Sequence, residues 1–120
     1  MGERIYKGCK RVHNVRSFEN LKEMIGYAKD NYGQNSAFKF KNKETKELYT
    51  MSYNDYIDDV NALGTALISI GLKDKRIGLI GENRYEWEES YLSVTCGTGV
   101  LVPLDKALTE RMWFKEESGE

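Results

Sequence analysis

Residues 76–108 read RIGLIGENRYEWEESYLSVTCGTGVLVPLDKAL. A short apolar run from Arg76 to Gly81 is followed by a turn. Trp87, Tyr91 and Val94 then recur at helical spacing, and Val100, Leu101 and Val102 form a second apolar run. Asn83 with Glu86 three residues on has the form of a capping box that would open the helix. Strand, turn, helix and strand in that order predict a βαβ unit with two parallel strands and a right-handed crossover, which places the chain in the α/β class. The first strand is expected to be buried. Pro103 is the only proline, and it should end the ladder of the second strand because it has no N–H to donate.

Upstream of this unit, Tyr53, Tyr56, Ile57, Val60, Leu63, Leu67 and Ile68 trace an apolar stripe that runs to Gly71, with Ser52 and Asp55 as a weak capping pair. Gly64 lies inside the stripe, where it costs about 1 kcal/mol in helix propensity relative to alanine. Close approach of another backbone would compensate, with simple tolerance as the plainer reading. The segment AFKFKNKETKELYTMSY alternates apolar and charged residues about a polar connection from Asn42 to Lys46, the pattern of a β-hairpin. Earlier still, Phe18, Leu21, Met24, Ile25 and Ala28 predict an amphipathic helix of about three turns, with Gly33 suited to a left-handed cap.

The composition limits what this arrangement can do. With 120 residues, 40% of them apolar and 12% aromatic, the chain can build one globular unit. Its 18 basic and 19 acidic residues leave a formal charge of −1, so net charge directs it toward neither nucleic acid nor an anionic membrane. No run approaches the roughly 20 apolar residues of a transmembrane segment, and the opening lacks an apolar signal core. The chain therefore reads as soluble and intracellular. Cys9 and Cys96 fit neither a disulfide framework nor a metal-binding pair and read as free thiols. His13 is the sole histidine and reads as a surface residue, which excludes sites built on several histidine ligands.

Catalytic constellations are equally sparse. RIGLIGENR has Gly78 and Gly81 but not the third glycine of a dinucleotide fingerprint, and Glu82 puts negative charge where a phosphate would sit. No G-x-x-x-x-G-K-[ST] loop occurs. Asp58 and Asp59 are adjacent in sequence and read as a solvated helix edge. Glu88 and Glu89 suit a helix amino terminus electrostatically, without a catalytic role. Trp87 and Tyr91, one turn apart, could stack on a ligand, but such a pair more commonly packs into a core. On the core reading, Trp87→Ala would cost roughly 3–5 kcal/mol. Cys96 lies among apolar residues and reads as a small hydrophobe rather than a nucleophile. No catalytic, cofactor-binding or metal-ligating residue is assigned.

Several of these pieces together resemble the AMP-forming long-chain fatty-acid-CoA ligases, particularly bacterial-type ones. They are the Ala62-Leu63-Gly64 step, the Gly71-Leu72 helix end, GENRYEW from Gly81 to Trp87, and GTGVLVPLDKAL from Gly97. The resemblance is densest from Tyr53 to Leu108 and extends back to about Phe18. It implies the amino-terminal portion of an acyl-CoA synthetase large domain, where a mixed sheet flanked by helices begins to form. On this reading residues 1–17 are a polar amino-terminal segment, 18–110 a partial synthetase domain, and 111–120 a divergent tail. For the complete enzyme the resemblance implies ATP-dependent activation of a fatty acid to an acyl-adenylate and transfer to CoA, assisted by magnesium. The phosphate loop, nucleotide contacts and catalytic lysine of that family match no position here, so the isolated chain is expected to be inactive. The expected partner is the remainder of the synthetase, with self-association through an exposed sheet edge as a further expectation. The resemblance implies a cytoplasmic location, with peripheral membrane attachment of the complete enzyme as an alternative. A small non-catalytic α/β module for ligand binding or interaction is the competing functional reading.

Overall fold

The computed structural model describes His13 and residues 15–107. Cys9 and the tail from residue 111 lie outside them. The element order is α1 (Leu21–Tyr32), β1 (Ser36–Lys41), β2 (Leu48–Ser52), α2 (Tyr53–Ser69), β3 (Arg76–Leu79), α3 (Tyr85–Thr95) and β4 (Val100–Pro103). β1 and β2 form an antiparallel hairpin, while β3 and β4 pair in parallel on either side of α3. The α/β class, the hairpin, the amphipathic helices and the strand-helix-strand unit are as expected. Among the described residues, however, the four strands make two separate two-stranded sheets rather than one mixed sheet.

Local chemistry accounts for most of the element ends. The Asn20 side chain caps α1 by accepting from the Glu23 N–H at 2.8 Å. Asn42 opens the hairpin turn, its Oδ1 accepting from the N–H groups of Glu44 and Thr45. Ser52 caps α2 by accepting from the Asp55 N–H at 3.2 Å. At its other end α2 closes in a Schellman motif: Gly71 N–H donates to Ile68 O, Leu72 N–H donates to Leu67 O, and Gly71 takes φ +93°.

Gly33 departs from expectation. It is right-handed, at φ −50°, and it is needed for a different reason. A Cβ there would collide with the Asn54 side chain and with the Lys29 carbonyl, while Gly33 O accepts from Asn54 N–H at 3.0 Å to tie α1 to the start of α2.

The core lies between the helices. Ile25 of α1 and Tyr56, Ile57 and Val60 of α2 are buried together, and Ala37, Phe38, Met51, Tyr85, Leu92 and Cys96 pack around them. Phe38 meets Tyr56 edge-on at 4.8 Å and Tyr85 at 5.3 Å, so the hairpin is held to α2 and α3 by aromatic contact. Val94 of α3 is also buried.

Gly64 fulfils the close-approach reading. An added Cβ would sit 3.3 Å from Ser93 O and 3.4 Å from Thr98 Oγ1, both on the unit that follows α2. Buried hydroxyls stitch this contact. Thr98 Oγ1 donates to Ser93 O at 2.8 Å, and Ser93 Oγ lies 2.6 Å from Glu89 O and 3.1 Å from Val60 O.

The βαβ unit differs from expectation in three respects. β3 stops at Leu79 and alternates exposed with half-buried residues, so it is not a fully buried strand. Asn83 and Glu86 form no capping box. α3 begins at Tyr85 with Arg84 as its N-cap, one residue later than Asn83, and no side-chain cap bond forms because a guanidinium has no acceptor to offer the first-turn N–H groups; the Glu86 carboxylate pairs with Arg84 at 3.3 Å. Pro103 lies inside the ladder, in register with Leu79, and pairing continues one residue further as Leu104 N–H donates to Leu79 O at 2.8 Å.

Candidate functional site

In open α/β sheets ligands bind outside the carboxyl ends of the parallel strands, and here that position is a cleft. It has a volume of about 460 Å³ and is lined by Leu79, Ile80, Gly81, Glu82, Arg84, Glu86, Trp87 and Ser90. β3 delivers the first residues and the first turn of α3 the last. The Trp87 ring is half-buried and stacks on Tyr91, with centroids 5.4 Å apart and planes inclined by 27°. A Cβ on Gly81 would approach the Trp87 ring at 3.6 Å.

Trp87 is therefore a wall of this cleft and not a member of the buried core. The physical reason is the rotation of α3: Tyr85, Leu92 and Cys96 are the side chains that it turns toward the core around Tyr56. The 3–5 kcal/mol expected for Trp87→Ala rested on full burial and does not apply to a half-exposed ring.

The charges of the cleft are already paired. Glu82 accepts from Lys106 at 3.2 Å, and Arg84 pairs with Glu86. Glu86 and Glu88 occupy the first turn of α3, where a bound phosphate would otherwise meet free N–H groups. Residues of this kind do not fit a triphosphate. No group of three potential metal-ligating side chains is found among the described residues.

The other singled-out residues are dispersed. His13 is exposed. Asp58 pairs with Lys29 of α1 at the surface. Asp59 is half-buried and accepts from the Tyr85 hydroxyl at 2.6 Å, so it is not the solvated edge residue expected. Tyr85 has its phenol pushed above the usual range, first by burial and then by its bond to the Asp59 carboxylate. Burial also raises Tyr56.

Glu88 is exposed as expected, whereas Glu89 is half-buried and its carboxyl is raised by burial first and by the nearby Asp59 and Glu86 charges next. Burial likewise raises the Cys96 thiol, although a hydrogen bond with Thr95 and then the Lys22 charge oppose the shift, which agrees with a thiol that is not activated. The sequence reading missed the Asp59–Tyr85 tie. Its signal was available: Asp59 lies three residues after Tyr56, on the stripe that faces the core.

No family model matches the chain, and no curated protein matches it. Solved structures do match. The N-terminal subdomain of NpsA from Klebsiella oxytoca superposes with a TM-score of 0.72 and 16% identity, over 84% of this chain and 25% of that one. A fatty acid AMP ligase from Legionella pneumophila matches with a TM-score of 0.65 and 18% identity, over 82% and 17%. The anthranilate CoA ligase AuaEII, solved with anthranoyl-AMP, matches with a TM-score of 0.65 and 15% identity, over 82% and 18%.

The class that these findings define is one of fold: an α/β unit like the N-terminal subdomain of adenylate-forming enzymes. The chain spans a quarter or less of the length of those solved chains. No helix among the described residues is long and apolar enough to cross a membrane.

Proposed function

We propose that this chain is the amino-terminal portion of an AMP-forming long-chain fatty-acid-CoA ligase and serves it as framework rather than as catalyst. The observation that carries this reading is the superposition on the NpsA N-terminal subdomain over 84% of the chain. The narrower assignment to fatty-acid ligases is supported by GENRYEW and GTGVLVPLDKAL and by the presence of a fatty acid AMP ligase among the structural matches. ATP, magnesium and CoA are then handled by polypeptide outside this chain, in keeping with a cleft whose charges are already paired. A cytoplasmic location follows from the same reading.

The test is an acyl-CoA assay on the purified chain with ATP, magnesium, palmitate and CoA. The expected outcome is no AMP or palmitoyl-CoA above the protein-free blank, and turnover would reject the framework role. Calorimetric titration with ATP separates the competing module reading. Saturable binding that is lost in Trp87→Ala would favour a ligand-binding module.

A further inference from the structure

A second recess lies where α1, α2 and the carboxyl end of α3 meet. It has a volume of about 230 Å³, and Lys22, Asn61, Thr65 and Lys73 line it together with Ile68 and the Cys96 thiol. Among the described residues, no aspartate or glutamate belongs to the lining. The contrast with the cleft at the end of β3 is direct. There each charge is paired, Glu82 with Lys106 and Arg84 with Glu86. Here two ammonium groups share one recess without a carboxylate between them.

Neither lysine is placed where its own helix favours it or where an acid fully satisfies it. Lys22 is the second residue of α1, in the first turn, where the helix dipole disfavours a cation. It forms no ion pair among the described residues. Its charge reaches into the recess, because it acts on the Cys96 thiol and pulls against the effect of burial. Lys73 Nζ donates to Gly97 O, just past the end of α3, and so covers the negative end of that helix, which would otherwise repel an anion. An ammonium has three donors, so two remain. The carboxylate of Asp74 stands 3.9 Å from Lys73, but that side chain is 85% exposed and lies outside the lining. Asn61 adds a neutral N–H donor.

We infer that this recess is a binding site for a phosphomonoester, with Lys22 and Lys73 as its counterions and Asn61 as a further donor. Charge complementarity selects the ligand: a phosphomonoester carries close to two negative charges at neutral pH and several strong acceptor oxygens, which matches two ammonium groups held without an acid. Its arrival also relieves the repulsion between the two lysines. The phosphate can come from a soluble metabolite or from the head group of phosphatidic acid. Ile68 on the wall is 43% exposed and Ile70 at the end of α2 is 72% exposed, a setting that a lipid source would use. The site is separate from the cleft at the end of β3 and independent of membership of a larger synthetase.

Cys96 supplies the reporter, because its thiol shares the recess and Cys9→Ser leaves it as the sole thiol. Alkylation by iodoacetate, an anion, is compared with alkylation by the neutral iodoacetamide at one pH and fixed ionic strength. The ratio of the two rates in the folded chain should exceed that in the urea-unfolded chain about fivefold, the worth of one ammonium about 4 Å away in water. Inorganic phosphate should abolish this preference by slowing iodoacetate alone. Equal ratios in the folded and unfolded chains, or equal slowing of both reagents by phosphate, would overturn the site.

Lys22→Gln and Lys73→Gln should each bring the ratio toward the unfolded value, whereas Lys75→Gln, outside the lining, should leave it unchanged. Far-ultraviolet circular dichroism establishes that each variant keeps its helices. Full preference in both Lys22→Gln and Lys73→Gln would overturn the assignment. Flotation with phosphatidylcholine vesicles containing phosphatidic acid then separates the sources. Flotation that Lys22→Gln abolishes assigns the phosphate to a lipid, and competition by free phosphate without flotation assigns it to a soluble phosphomonoester. Neither competition nor flotation would overturn the site. None of these readouts involves ATP or an acyl substrate, so their failure leaves the synthetase reading untouched.

Discussion

The Tyr85 hydroxyl donates to Asp59 at 2.6 Å while its ring meets Phe38, Phe40 and Tyr56 within 6 Å. One side chain thus joins the hairpin, α2 and α3. Tyr85→Phe keeps the ring contacts and leaves a half-buried carboxylate without its donor. Hydrogen bonds to charged groups are worth about 1.5–3 kcal/mol, and a loss in the lower part of that range is expected in the urea midpoint. A variant as stable as the parent would mean that solvent replaces the phenol fully.

Glu89 adds a pH dependence at the same interface. Its carboxyl in the folded chain lies above the ordinary value, so between the two values the folded state holds a proton that the unfolded state has released. Stability from this residue therefore falls as pH rises from the ordinary carboxylate range through the raised value. Glu89→Gln should flatten that part of the stability profile and raise stability at neutral pH. An unchanged slope would remove Glu89 from this role.

At the level of elements, the contact of α2 with the unit that follows it depends on Gly64. Gly64→Ala gains about 1 kcal/mol of helix propensity, but its methyl group would press on Ser93 O and Thr98 Oγ1, and overpacking typically costs about 1–3 kcal/mol. A net loss of about 1 kcal/mol is expected by chemical denaturation, and a gain would show that the two elements can separate to admit a methyl group.

This contact was legible in the sequence because a glycine in a strong helical stripe conflicts with its surroundings unless something approaches. The hairpin was legible through its period of two, and the Schellman end of α2 through Gly71. The start of α3 was not. Asn83 and Glu86 have the spacing of a capping box, but the helix starts one residue later with Arg84 at the N-cap, and spacing alone does not fix which residue takes that position. The partial exposure of Trp87 was hidden for a related reason: helical spacing identifies a face but not what that face meets. The empty site assignment followed from missing motifs, whereas the pairing of Glu82 with Lys106 required three dimensions.

For the molecule as a whole, the cleft at the end of β3 contains a fluorophore. Trp87 lies over Tyr91 beside Gly81, half in solvent. The second tryptophan, Trp113, can be silenced by Trp113→Phe. Emission from that variant would then report on the cleft alone. Covering the cleft would displace water from the indole, shifting its emission to shorter wavelength and protecting it from iodide quenching. The aromatic cluster of Phe38, Tyr56 and Tyr85 would register in near-ultraviolet circular dichroism whether or not anything docks. The chain thus carries two optical channels: one reads whether its own core has formed, and the other reads whether the cleft beside Gly81 is covered.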